Sequence, residues 1–278
     1  MGRIYIILLL FITTSVPSIG STKSSKNPNV IKWIKIFQRN DASYFNNWLV
    51  KSEKKLPKIK SVLQKQGLPA DLAYLPIIES GLNPTAVSSA NATGYWQFMK
   101  PTALQYGLKV NWWLDERRDL IKSTWAAGRY LNTLYKMFGD WHLALSAYNM
   151  GENRLKKLIK RHGTSNFWIL SRKKGFPSET REYVPKFLAA ALIAKNPKHY
   201  GFDIKRKLKP YSYTYQFVPG GTDLFRIAKQ LEISPLEMKE LNPELKRALV
   251  PKGVASHRIR VPKGFRKKVA LYFSENVR

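Results

Sequence analysis

The stretch Leu72-Ala73-Tyr74-Leu75-Pro76-Ile77-Ile78-Glu79-Ser80-Gly81 constrains this chain more than any other. Leu72, Leu75, Pro76 and Glu79 fall at i, i+3, i+4 and i+7, the spacing that lines up one face of a helix. The face is otherwise apolar, so the carboxyl points toward whatever the leucines bury against. A desolvated, unpaired carboxylate responds by raising its pKa. A glutamate that keeps its proton near neutral pH is what a general acid requires. The competing reading is an exposed glutamate in the last helical turn before Gly81. Pro69 fits the first turn, with Asp71 behind it at the positive helix end. Pro76 removes a backbone hydrogen bond and is expected to bend the helix just before Glu79.

Three further segments follow in order: Gly94-Tyr95-Trp96-Gln97-Phe98-Met99, Ala147-Tyr148-Asn149-Met150-Gly151 and Glu182-Tyr183-Val184-Pro185. Each is weak alone. With Glu79-Ser80 they resemble the four motifs of the family 1 lytic transglycosylases (the SLT domain), in particular the membrane-bound D type. The resemblance runs from about Trp33 to Phe202 and continues more weakly to the C-terminus. It implies a mostly α, lysozyme-like (goose-type/SLT) fold over 30–205, followed by a small α+β module.

The chain has no cysteine, which excludes disulfides, thiolate chemistry and cysteine metal sites. His142, His162, His199 and His257 fit no metal-ligand spacing. No metal and no cofactor are expected. Residues 1–20 have the character of an export signal: Arg3, an apolar run from Ile4 to Ile12, and small residues at Ser18-Ile19-Gly20. The run is too short for a membrane span of roughly 20 residues. Lipidation after signal cleavage needs a cysteine, so a lipoprotein anchor is excluded, a departure from lipoprotein relatives. The expectation is an exported, periplasmic monomer, with an uncleaved signal anchor as the alternative.

Lys and Arg number 48 against 18 Asp and Glu, a net charge of +30. Such an excess implies an acidic partner or an anionic membrane surface. The basic residues are spread along the chain without interleaved aromatics, so nucleic acid is not the expected partner. Peptidoglycan, which carries free carboxylates, suits the charge equally well.

Residues 21–29 are polar and expected to be a disordered leader. Helical patterning starts near Val30 with Trp33, Ile34 and Phe37. Residues 83–93 have loop composition. Leu120, Thr124, Ala127, Leu131 and Leu134 form a helical stripe ending at Gly139; Trp141 to Tyr148 is a helix stopped by Gly151; Val184, Phe187, Leu188, Ala191 and Leu192 mark a last long helix before Pro197. From Tyr211 the pattern changes to a strand (Tyr213 to Val218), helices from Leu224 and Ser234-Pro235, and a strand at Ile259 to Val261. This order over 211–265 resembles a LysM glycan-binding module, though its turn is Gly220-Gly221-Thr222-Asp223-Leu224 where Gly-Asp-Thr-Leu is typical. A structural appendage on the catalytic domain is the alternative. Residues 266–278 form a basic tail.

The resemblance implies cleavage of the MurNAc-β-1,4-GlcNAc bond by a single carboxyl, with the muramic acid C6 hydroxyl as intramolecular nucleophile and a 1,6-anhydro end as product. Glu79 is then acid and afterwards base. Ser80, Gln97, Asn149 and Tyr183 are expected to position substrate or acid, Tyr148 to direct its hydroxyl at Glu79, and Phe98 and Met99 to wall the cleft. A second carboxyl among Glu152, Glu179 and Glu182 would instead suit a goose-type hydrolytic muramidase. A catalytically silent peptidoglycan-binding protein is the alternative outside enzymes.

Overall fold

The computed structural model describes residue 19 and residues 24–39, 42–204 and 212–276. The N-terminal three-quarters is helical: α1 (Pro28–Arg39), α2 (Ala42–Gln64), α3 (Leu75–Ser80), α4 (Lys100–Gln105), α5 (Leu120–Phe138), α6 (Trp141–Met150), α7 (Glu152–His162), α8 (Phe167–Leu170) and α9 (Ser178–Lys195). α9 is the central helix. Val184, Phe187, Leu188, Ala189, Ala190 and Ala191 on it are all inaccessible to solvent, the pattern of a helix apolar nearly all round. It packs against α1, α3 and α6, while α5 packs against α2 and α6. The stripe on α5 is buried as its spacing predicts, and Gly139 closes that helix in a left-handed cap.

One expectation about the N-terminal region needs correction. Residues 24–26 form a 3₁₀ turn and α1 already begins at Pro28, so the disordered leader does not extend to Asn29. Asn27 explains the early start: its carbonyl accepts from Ile31 and its side chain from the Asn29 N–H, while Pro28 takes the first helical position. Of residues 1–20 only Ile19 is described, and it is buried in the helical core at 7% exposure; the rest of the export-signal reading lies outside the described residues. Among the described residues no helix is long and apolar enough to cross a membrane.

The C-terminal module contains β1 (Tyr213–Pro219), α10 (Leu224–Gln230), α11 (Pro235–Leu241), β2 (Ser256–Pro262) and α12 (Arg266–Asn276). β1 and β2 pair antiparallel, with Gln216 opposite Ile259. Asp223, the residue out of place in the turn motif, caps α10 by accepting from the Phe225 and Arg226 N–H groups. The expected basic tail is a correction: residues 266–276 are helical, and Val269 is fully buried in the module core. Val269 docks the helix, with Tyr272 and Phe273 packed partly buried beside it, while its lysines stay in water.

The module is built into the helical domain. Leu114 belongs to the module's core and Leu241 to the helical core. The Asp115 N–H donates to the Glu244 carbonyl (2.8 Å) and the Lys246 N–H to the Trp113 carbonyl (3.0 Å). Arg260 on β2 is buried, bonding Glu244 at 2.7 Å and also Asp119, the residue that caps α5.

Candidate active site

The expected bend of a continuous helix at Pro76 is not found. Residues Ala70–Tyr74 form a separate 3₁₀ turn, and Pro76 sits in the first turn of the new helix α3, where its missing N–H leaves no partner unsatisfied. The helix is only six residues long and ends at Gly81 in the left-handed region. A Cβ there would run into the Trp48 indole, so only glycine fits both the backbone and the packing. Glu79 is therefore held on a short helix stopped on both sides, with Leu75, Pro76 and Ile77 buried beneath it.

The Glu79 side chain is half-buried, and the Tyr183 hydroxyl donates to its Oε1. Burial pushes the Glu79 pKa up from 4.5 to about 7; the Tyr183 hydrogen bond and the positive charge of Lys186 oppose the rise, and the negative charge of Glu179 adds to it. Tyr183 itself is raised well above 10, by burial first and then by the Glu79 charge. It stays a neutral donor throughout the physiological range.

The other expected residues build the frame around this pair. Ser80 donates to the Tyr95 carbonyl (2.9 Å) and the Pro76 carbonyl (3.2 Å), tying α3 to the 94–99 segment. Tyr148 does not donate to Glu79 as expected; its hydroxyl is committed to the Trp96 carbonyl at 2.7 Å. It is nonetheless close enough for the Glu79 charge to raise its pKa. Gln97 occupies the left-handed region at φ 47° and donates its side-chain amide to the Gly94 (2.9 Å) and Ala86 (3.2 Å) carbonyls. Such a conformation in a non-glycine residue costs energy that the surrounding bonds must offset. Phe98 is buried against Tyr130 and Tyr148, whereas Met99 is 43% exposed at the start of α4. Asn149 bridges to α9: its amide donates to Glu179 (3.1 Å) and its oxygen accepts from Thr180 (2.5 Å).

The three candidate second carboxyls separate cleanly. Glu152 accepts from the Tyr130 hydroxyl, and Glu182 accepts from Trp33 (2.7 Å) and Lys32 (3.0 Å) on α1. Glu179 is the one whose charge acts on Glu79. Among the described residues no group of three or more His, Asp or Glu is placed to hold a metal ion.

Sequence reasoning missed Arg117. It is buried, pairs through two bonds with Asp115, and donates to the Asn91 (3.2 Å) and Phe98 (3.0 Å) carbonyls, clamping the loop that carries Gln97. Gly94 is required by the same clamp, since a Cβ would strike the Arg117 carbonyl. Trp96, bonded to Thr124 on α5 at 3.1 Å, fixes the loop from the other side. The charged run Asp115-Glu116-Arg117-Arg118-Asp119 was the available signal.

Residues 58–171 match the transglycosylase SLT domain, and residues 217–272 match the LysM-like domain of lytic transglycosylase MltD. The chain carries both domains. It is 36% identical over 209 residues to membrane-bound lytic murein transglycosylase D of Escherichia coli (strain K12), over 73% of this chain and 45% of that protein. It is 38% identical over 110 residues to a putative tributyltin chloride resistance protein of Alteromonas sp. (strain M-1), over 39% of this chain and 53% of that protein. The chain thus spans about half the length of the curated relatives it matches. The 70 kDa soluble lytic transglycosylase Slt70 of Escherichia coli superposes with a TM-score of 0.45 at 17% identity, over 66% of this chain and 37% of that one. The mostly helical architecture expected of an SLT domain is the one described above. The LysM-like match extends through Tyr272, taking in most of α12.

Proposed function

We propose that this protein is an exported, periplasmic lytic transglycosylase of peptidoglycan. It cleaves the MurNAc-β-1,4-GlcNAc bond without water and leaves 1,6-anhydroMurNAc ends. The observation that carries the reading is the Glu79 carboxyl, buried to a pKa of about 7 and aimed by the Tyr183 hydroxyl. At that pKa the group is about half protonated at pH 7, so it can give a proton and take one back in the same cycle. In the first step the carboxyl proton passes to the leaving GlcNAc oxygen as the glycosidic bond breaks. In the second the carboxylate takes the proton of the C6 hydroxyl while that oxygen bonds the anomeric carbon. The proton count closes, and no cofactor is needed. An intramolecular nucleophile needs only to be held in place, a role suited to the cleft segments clamped by Gln97, Arg117 and Asn149.

The membrane-bound relative and the match to an MltD LysM-like domain support action at the cell wall. The module's place in this reading is to hold glycan close to the cleft. A hydrolytic muramidase is the second reading, favoured by one observation, the field of Glu179 on Glu79. The test of the proposal is Glu79→Gln in a peptidoglycan clearing assay. The expected result is folded protein with activity down by about three orders of magnitude or more; near-normal turnover would sink the assignment.

A further inference from the structure

A cavity of about 470 Å³ lies where the helical domain meets the module, and nothing in the proposed chemistry uses it. Its volume falls in the range of small-ligand sites. α2 contributes Lys51, Lys54 and Lys55, the loop after α4 contributes Arg118, and the module contributes Lys239 on α11 and Lys246 beyond it. Among the described residues the lining holds one carboxylate, Glu240, 3.9 Å from Lys54. Six cations against one anion in a concave site is an arrangement that repels itself and attracts negative ligands.

The cations are built in. Lys55 is held by the Leu82 carbonyl (2.8 Å) and lies 4.9 Å from the centre of the Tyr95 ring. Burial first, and then the charges of Lys51 and Lys54, push its pKa down to about 8. Lys246 is anchored on the Asn111 carbonyl at 2.5 Å. Between the cations stand apolar side chains: Leu82, Tyr95, Leu236 and Leu245. Leu236 is 73% exposed on α11. The mixture suits a ligand with carboxylates spaced by aliphatic groups better than a bare phosphate chain.

The cavity also touches the segments that frame Glu79. Leu82 follows the Gly81 cap of the Glu79 helix, and Tyr95 is the residue whose carbonyl takes the Ser80 hydroxyl. We infer that this junction is a binding site for a short acidic peptide, the carboxylate-bearing stems that branch from the glycan strand in the cleft. The inference rests on the peptidoglycan reading above and adds to it a peptide-reading site shared by both domains.

The test uses full-length Glu79→Gln protein, which binds without cleaving, and soluble glycan strands with their peptides intact or removed by an amidase. Peptide-bearing strands bind more tightly, and added salt weakens the difference. On the same background Lys51→Gln/Lys239→Gln, two exposed positions, lowers affinity for peptide-bearing strands about three- to tenfold. It leaves stripped strands unchanged. Equal affinity for the two strands, or an equal loss on both, overturns the inference. So does a double variant that loses binding to polyphosphate but keeps its preference for peptide. Unaltered protein that lyses stripped strands, with no peptide preference in binding, refutes this site alone; lysis of neither strand refutes the catalytic reading.

Discussion

Replacing Glu79 by glutamine is expected to stabilise the protein at alkaline pH. The folded-state pKa of about 7 lies above the 4.5 of the free side chain, chiefly because of burial. The folded protein therefore holds this proton after the unfolded chain has released it. Stability then falls as pH rises from about 4.5 to about 7, and the full penalty applies above 7. At about 1.4 kcal/mol per pH unit between the two values, the penalty is about 3 kcal/mol. Glutamine cannot ionise, is nearly isosteric, and keeps an oxygen for the Tyr183 hydroxyl to donate to. Thermal unfolding of the two proteins from pH 4.5 to pH 8.5 measures the effect. Their melting temperatures should coincide at the acid end and diverge to about 6–10 °C above pH 7.5, with the variant higher. Parallel curves across the whole range would refute the claim that Glu79 carries a desolvated carboxyl.

Other substitutions test the neighbours. Tyr183→Phe removes a hydrogen bond that lowers the Glu79 pKa, so the alkaline fall of the lytic rate should move to higher pH; an unmoved profile would mean that Tyr183 only packs. Glu179→Gln removes a charge that raises the same pKa, so that fall should move to lower pH with turnover largely retained. Loss of several orders of magnitude would instead make Glu179 a second catalytic carboxyl. Arg260→Ala leaves Asp119 and Glu244 buried without their cation and should cost about 3–5 kcal/mol in denaturant unfolding. A cost under about 1 kcal/mol would show that the module is not locked by this pair.

The helices with a clean apolar stripe were legible because spacing alone specifies which side is buried. The α5 stripe and the α9 run Val184, Phe187, Leu188 and Ala191 fall into this class. The burial of Glu79 was legible only in part: the carboxyl is half-buried as the pattern suggests, but Leu72 lies on a separate 3₁₀ turn and Glu79 on the short helix that follows it. Side-chain directions were not legible. Tyr148 was expected to reach Glu79, but its hydroxyl donates to the Trp96 carbonyl on the neighbouring loop, and a side-chain hydroxyl taken out of water settles on an acceptor that packing brings to it. Gln97 was expected at the substrate, and its amide instead holds the turn that places it. The tail from Arg266 looked solvated because its charge is high, while buried Val269, with Tyr272 and Phe273 packed beside it, fixes it to the module. Arg117 and Arg260 were hidden by a basic composition in which two structural arginines look like any others.

The central claim is that one carboxyl and an intramolecular nucleophile break the strand. Mass spectrometry of the muropeptides released from purified peptidoglycan, beside a Glu79→Gln control, tests it most directly. The account predicts products lighter by one water, about 18 Da, than reducing-end muropeptides, and none from the control. Reducing ends would contradict it, because water would then be the nucleophile.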